Sequence, residues 1–322
     1  MSMDRTELRD SARKAFGASS ATGDAAGNWA KLSEMGWFMM TVPEAQGGLG
    51  LGSEAHAIIH YELGRALVPG PVIAQMMLVE ALAATGQSDL LDRAMAGGKM
   101  TASLALPTED DVIAAVPDAD VASHVLVTRQ GAIRVVPLDR CTIAAQPTWD
   151  ETRRLFDVRP PSASDGVVIA HGQAAEQLRT SLLLQMLLAL SADSLGGAEA
   201  ALAMTVDYLK TRRQFDRPLA LFQALKHRVA DLKIAHSAAE ALLWDRAAGR
   251  PSLALMGSLK THCTEAFRLI AEDCIQLHGG IGLTQEHPCH LFFKRAMLNC
   301  ALGGDAFHWE EIAGRAVMET TG

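Results

Sequence analysis

Hydrophobic spacing divides the chain into three zones. From about residue 5 to 99 apolar positions recur at helical intervals. Trp29, Leu32 and Met35 close one helix at Gly36, and Ile58, Ile59, Leu63 and Ala66 mark another over 55–67. Between them, Pro43-Glu-Ala-Gln-Gly-Gly-Leu-Gly-Leu-Gly is too rich in glycine for helix. Pro69-Gly-Pro71 breaks the pattern again and opens a further helix, because proline is tolerated in a first turn. From about 101 to 171 the texture changes to short apolar runs rich in β-branched residues, at 102–106, 121–128, 132–136 and 166–170. Arg129-Gln-Gly131, between two such runs, predicts a hairpin. Beyond about 173 long helical segments return. Leu225, Val229, Leu232, Ala239 and Leu243 form one apolar stripe, with Lys226, Arg228, Asp231 and Glu240 off it.

The pattern predicts a mainly α protein in three parts. These are a helical domain over 1–100, a small antiparallel β domain over 101–171 and an antiparallel helix bundle over 172–322. Composition agrees with a packed fold. The 322 residues are 49% hydrophobic and 20% charged, enough apolar surface to exclude disorder. The five cysteines are scattered, odd in number and free of CxxC pairs, which argues for a reducing compartment. A net charge of −8 gives no support to nucleic-acid binding. The charged N-terminus is unlike a signal peptide, and the longest apolar run, 182–190, contains Gln185 and is too short for a membrane span. A cytoplasmic protein is expected.

Candidate chemistry is sparse when each motif is taken alone. Gln276-Leu-His-Gly-Gly-Ile-Gly282 ends a helical segment. Its glycines would let backbone N–H groups approach a phosphate, and would equally serve as a helix cap. No strand precedes it, which excludes the dinucleotide βαβ fingerprint. Arg212 and Arg213, in Tyr208-Leu-Lys-Thr-Arg-Arg-Gln-Phe215, could grip a diphosphate or simply answer a helix dipole. His287-Pro-Cys-His290 has metal-ligand residue types, but no second ligand pair stands nearby to close a tetrahedral site, so no metal is expected. There is no GxSxG nucleophile elbow.

Taken in order, the motifs say more. Pro43-Glu with Gly47-Gly-Leu-Gly50 comes first, then Arg212-Arg-Gln-Phe215. Phe222-Gln-Ala-Leu-Lys-His-Arg-Val-Ala-Asp-Leu232 follows, and the glycine motif at 276–282 comes last. This succession closely resembles the acyl-CoA dehydrogenase family. The resemblance implies an N-terminal helical domain, a reduced middle antiparallel β domain and a C-terminal four-helix bundle. It also implies FAD held at a subunit interface and an acyl-CoA thioester substrate. Arg212 and Phe215 match positions that contact the FAD diphosphate and adenine side, and Gln223 a further cofactor contact. Gln276, Gly279 and Gly280 match the turn that packs on the neighbouring subunit's FAD, and Gly304 and Asp305 the pair beside the catalytic base.

The base itself is missing. Most members place Glu before that pair, where Cys300-Ala-Leu-Gly-Gly-Asp305 has Gly303. A minority take it from an earlier helix, at a position near Met186 with Gln185 beside it. Glu310 and Glu311 lie two turns further on, roughly 10 Å along a helix. Of the segments that embrace the flavin ring, only Ala105-Leu-Pro-Thr-Glu109 is a partial echo, and Trp149 stands in a different context. Such a pattern resembles one subunit of the heteromeric members that act on sterol or bile-acid side-chain CoA esters, with a homologous partner supplying Glu. Gly303 would then still offer its backbone N–H to the thioester. The alternatives are a structural subunit without a productive site, and a homo-oligomer using Asp305 or Glu310 as base.

Overall fold

A computed structural model describes residues 5–16, 25–162 and 164–321. Five helices come first: α1 (Arg5–Phe16), α2 (Ala25–Glu34), α3 (Ser53–Arg65), α4 (Val72–Ala84) and α5 (Ser88–Met95). Leu8, Ala12 and Phe16 fall on one face of α1 at a spacing of four and are buried. They belong to the same core as Trp29, Leu32 and Ile59. The polar face of α1 is used as well: Arg9 and Arg13 donate through Nε, each at 3.0 Å, to the buried carboxylate of Glu62 on α3.

Seven strands follow: β1 (Thr101–Ala102), β2 (Ile113–Pro117), β3 (His124–Arg129), β4 (Ala132–Pro137), β5 (Thr142–Gln146), β6 (Leu155–Arg159) and β7 (Val167–His171). They form two sheets, ordered β1-β3-β4-β7 and β2-β6-β5, sharing a core of Val116, Val125, Val127, Val136, Phe156 and Val158. β3 and β4 are the hairpin, closing on the pair Arg129 and Ala132. All pairings are antiparallel except that of the two-residue β1 with β3, which is parallel.

The remainder is α6 (Gly172–Thr211), a small ribbon of β8 (Arg213–Gln214) and β9 (Arg217–Pro218), α7 (Gln223–Ala248), α8 (Leu253–His278), α9 (Cys289–Ala301) and α10 (Ala306–Thr321). The 40-residue α6 is the axis of the molecule. Packed by α3, α4, α7, α8 and α9, it has no solvent face over its middle, where even the polar Ser191, Asp193 and Ser194 are buried. Its most apolar stretch would suit a bilayer by length and composition, but 83% of that window is buried inside the protein, which makes it a core helix. Backbones meet where α3 crosses it. A Cβ on Gly64 would lie 2.0 Å from the Asp193 carbonyl oxygen, and one on Gly196 would lie 1.8 Å from that of Tyr61, so neither site admits any side chain.

A buried polar cluster docks the strand region onto this axis. Arg295 of α9, 0% exposed, donates through Nε to Asp150 at 2.6 Å and through Nη1 to Asp193 of α6 at 3.1 Å. Arg153 donates to Asp193 at 3.1 Å and to the Asn299 side-chain oxygen at 2.7 Å. Asn299 in turn donates to Asp193 at 2.7 Å. Two cations and two anions balance, and each guanidinium is spread over several acceptors. Removing one member leaves an uncompensated buried charge, so Arg295→Met should cost about 3–5 kcal/mol in urea unfolding. Arg315→Met, which breaks only an exposed pair with Glu311, should cost about 0.5 kcal/mol or less.

Candidate active site

The two positions at which the resemblance would place a base come together in space, and both are apolar. Gly303 lies in the turn between α9 and α10 with φ of 66°. A Cβ there would sit 3.1 Å from Leu190 Cδ1, 3.2 Å from Met186 Cε and 3.3 Å from Leu187 Cδ2. The expectation that Gly303 offers its N–H to a thioester fails, because that N–H donates to the Leu104 carbonyl at 2.8 Å. The Gly303 carbonyl is occupied too, accepting from Trp309 Nε1 at 2.8 Å. Lys260, fully buried, fixes the rest of the turn by donating to the carbonyls of Cys300 at 2.7 Å and Gly304 at 2.6 Å. Asp305 is exposed, and its carboxylate caps α10, accepting from the His308 N–H at 2.9 Å. Glu310 and Glu311 are exposed on α10.

Two cavities flank α6 at this level. One, of about 550 Å³, lies against the sheets and is lined by Met77, Leu106, Pro107, Thr108 and Met186. Its carboxylates, Asp110, Asp111 and Asp157, all come from the strand region, and Asp157 accepts from Gln146 Nε2 at 2.5 Å. Trp149 is 77% exposed and lines neither cavity. The second, of about 640 Å³, lies between α4, α6 and the α7–α8 connection. Gln185 borders it with both amide atoms buried and without a hydrogen-bond partner. Glu80 borders it as well. Burial pushes the Glu80 carboxyl up, opposed by a hydrogen bond from Ser181 at 3.0 Å. Sequence reasoning misses Glu80, since nothing in an apolar helical pattern reveals which acid faces inward.

Six of the eight candidate cofactor residues gather elsewhere, at the far end of the bundle. α6 ends at Arg212, whose side chain is exposed. Phe215 and Asp216 turn the β8–β9 ribbon with φ of 52° and 61°, the geometry of a two-residue hairpin that asparagine or glycine would normally adopt. Phe215 nevertheless stands 84% exposed, edge-on to Phe222 with ring centroids 6.1 Å apart. Gln223 is exposed at the start of α7. The end of α8 is joined to this corner by Tyr208, which stacks on His278 at 4.5 Å and donates to its carbonyl at 3.2 Å. Gln276, Gly279 and Gly280 are therefore presented beside it, all exposed. Gly279 has φ of 66°, and a Cβ on either glycine would meet nothing within 4 Å, so the turn is open to a ligand or a neighbouring chain. Gly304 and Asp305 do not join this group. Tyr208 and Met186 are 22 residues apart on α6, about 33 Å along its axis.

A helical bundle around a buried axis, with two small sheets docked on it, is the acyl-CoA dehydrogenase fold. Family models for the acyl-CoA dehydrogenase N-terminal and C-terminal domains match residues 3–97 and 178–317. Acyl-CoA dehydrogenase IpdE2 of Mycolicibacterium smegmatis is 34% identical over 269 residues, 83% of this chain and 80% of the relative. A variant of the Tcur3481–Tcur3483 steroid ACAD is 26% identical with a TM-score of 0.85, over 99% of this chain and 98% of that one. The ChsE4–ChsE5 complex from Mycobacterium tuberculosis shares the fold at a TM-score of 0.87 and 22% identity, again over 99% and 98%. The chain belongs to the acyl-CoA dehydrogenase family, oxidoreductases that use FAD.

The geometry makes Gly303→Glu a poor route to dehydrogenation, and the variant should not gain it. The left-handed backbone and the crowding by Leu190 and Met186 should instead cost about 1–3 kcal/mol, read by thermal melting and a dye-coupled assay. A second expectation concerns His56 and His60, buried with ring centroids 4.4 Å apart. Burial lowers His56 to about 4 and holds His60 well below its ordinary value, with the charges of His56 and Arg153 adding to the effect. The folded state then binds fewer protons than the unfolded chain between about pH 4 and 6.5, and stability falls as pH falls through that window. His56 alone contributes about 3 kcal/mol. Urea unfolding at several pH values should show this slope, reduced in His56→Leu; an equal slope in the variant would sink the assignment.

Proposed function

We propose that this chain is the base-lacking subunit of a heteromeric acyl-CoA dehydrogenase, and that a homologous partner supplies the carboxylate that removes the substrate's α-proton. The observation that carries the reading is the mutual packing of Gly303 and Met186 with no ionisable group between them. A carbon acid as weak as a thioester α-carbon needs a positioned base, and neither position can provide one. Six of the eight cofactor-matching residues, in contrast, are kept together and exposed.

Arg212 would pair with the FAD diphosphate, for which its planar guanidinium is suited. Phe215 and Gln223 would lie along the adenine side, and the Gln276, Gly279 and Gly280 turn would close against the cofactor through backbone N–H groups. When bound, FAD accepts the β-hydrogen as hydride. This chain's part is to position and to exclude water. The roughly 33 Å between this corner and Met186 favours a corner that serves a cofactor whose reactive ring lies over the partner's base. The two cavities beside α6 leave room for a bulky acyl group. That suits a polycyclic acyl-CoA, the class indicated by the steroid ACAD relative.

The test is to purify the chain alone and co-expressed with its homologous partner, then record flavin absorbance and dye-coupled oxidation of several acyl-CoAs. Flavin and activity are expected only in the mixture. Arg212→Ala should weaken flavin affinity at least tenfold, the loss expected for one or two charge-assisted phosphate contacts. Phe215→Gly relieves the left-handed strain, so it should leave the lone chain's melting temperature unchanged or higher while reducing flavin retention in the complex. Full flavin content and turnover in the lone chain would overturn the proposal.

A further inference from the structure

The fold completes a cluster that the sequence shows only in part. His287 and Cys289 are separated by one proline, and the end of α8 brings His278 onto them. One ligand atom from each of the three lies within 4.8 Å of the others. His278 is 3% exposed, and its Nδ1 lies 2.7 Å from the Cys274 carbonyl oxygen. A carbonyl only accepts, so Nδ1 carries the proton and Nε2 keeps the lone pair. That Nε2 is buried with no hydrogen-bond partner. A backbone carbonyl holding one ring nitrogen so that the other is free is how protein histidines are set up to bind metals. Cys289 is 1% exposed. His287 accepts only a long bond, from the Cys289 N–H at 3.3 Å, which a cation can displace. Its ring sits 4.4 Å from that of His278.

We propose that His278 through Nε2, His287 through an imidazole nitrogen and Cys289 through its thiolate bind a borderline-soft divalent cation of the zinc type. Water would complete a tetrahedron. Two imidazoles and a thiolate are a zinc-like set and a poor one for calcium or magnesium. Metal–ligand bonds of about 2.0–2.3 Å put tetrahedral ligand atoms roughly 3.3–3.8 Å apart, so the set must contract by only about an ångström. His287, half-exposed on the connection between α8 and α9, is the member able to move. Binding replaces the Cys289 thiol proton, which passes to solvent, by the cation, with no change of oxidation state. The bound ion would tie the end of α8 to the start of α9 across the 279–288 connection. It does so independently of whether the adjoining glycine turn touches FAD.

The test uses the full-length chain without an affinity tag, stripped with a chelator and titrated with Co²⁺ in difference absorbance, then with Zn²⁺ in competition. One ion per chain is expected, with a thiolate-to-cobalt charge-transfer band and four-coordinate visible bands that Zn²⁺ abolishes. Zn²⁺ should raise the melting temperature of the wild type and not that of His287→Ala. Cys141→Ser should keep both signals, and Cys289→Ser should lose the charge-transfer band. Should Cys289→Ser fail to fold, His287→Ala on its exposed connection carries the test. No saturable binding at micromolar Co²⁺ or Zn²⁺, binding without a thiolate band, or binding unchanged in His287→Ala would each overturn the site.

Discussion

The four-charge cluster of Arg295, Asp193, Arg153 and Asp150 is the constraint on which the arrangement of the parts depends. Its members come from α6, α9 and the 147–154 segment, so it forms only when the strand region sits on the bundle in one register. An apolar seam of the same area would tolerate sliding, whereas two guanidiniums, each with fixed acceptors in two elements, do not. This register brings the Leu104 carbonyl to Gly303 and closes the turn after α9. The absence of an oxyanion-type donor at Gly303 is thus a consequence of docking, and not a local accident of one residue.

That closure changes how the lost base is understood. A lone Glu-to-Gly replacement in an otherwise open site would leave a cavity. Here the space is filled from α6 by Met186, Leu187 and Leu190, with contacts on a Gly303 Cβ position as short as 3.1 Å. The packing is that of a core, and it sits beside a half-apolar cavity whose carboxylates belong to other elements. Core-like packing midway along α6 and exposed, strained, cation-bearing structure at its C-terminal end are opposite signatures on one helix. Phe215, 84% exposed with φ of 52°, carries the second of these signatures.

Much of this architecture is legible in the order of residues. Period alone finds α3 and α7 because their apolar positions repeat, the Pro69-Gly-Pro71 break marks the start of α4, and β3 and β4 are found because Val, Ile and Leu bracket a Gln-Gly turn. It misses β2, β5 and β6, where Ala-Ala pairs or a central Asp dilute the alternation, and which gain their identity from pairing with one another. It also sets no bounds for α6. Gln185, Ser191, Asp193 and Ser194 interrupt an apolar run in sequence, yet in space Asp193 is answered by two arginines and the serines by carbonyls four residues back. Burial of polar groups through partners remote in sequence is what a one-dimensional pattern cannot carry. The site divides in the same way. Arg212, Phe215 and the glycine turn are local motifs and can be named from their neighbours. The contact between Gly303 and Met186, more than a hundred residues apart, cannot.

The histidine cluster follows the same logic from the other direction. His287-Pro-Cys-His290 stands out in the sequence, and it is insufficient there because no second ligand pair stands nearby to close a tetrahedral site. The third ligand of the proposed site lies within the glycine motif, where sequence alone points to a phosphate contact or a helix cap and not to a metal ligand. A helix of 26 residues, α8, ends where it does because Gly279 adopts a positive φ, and that stop delivers the His278 ring into the space beneath the next connection. The glycine that opens the turn to the outside and the histidine that faces inward are consecutive residues. One helix terminus can therefore serve a ligand on its exposed side and a cation on its buried side without either use obstructing the other.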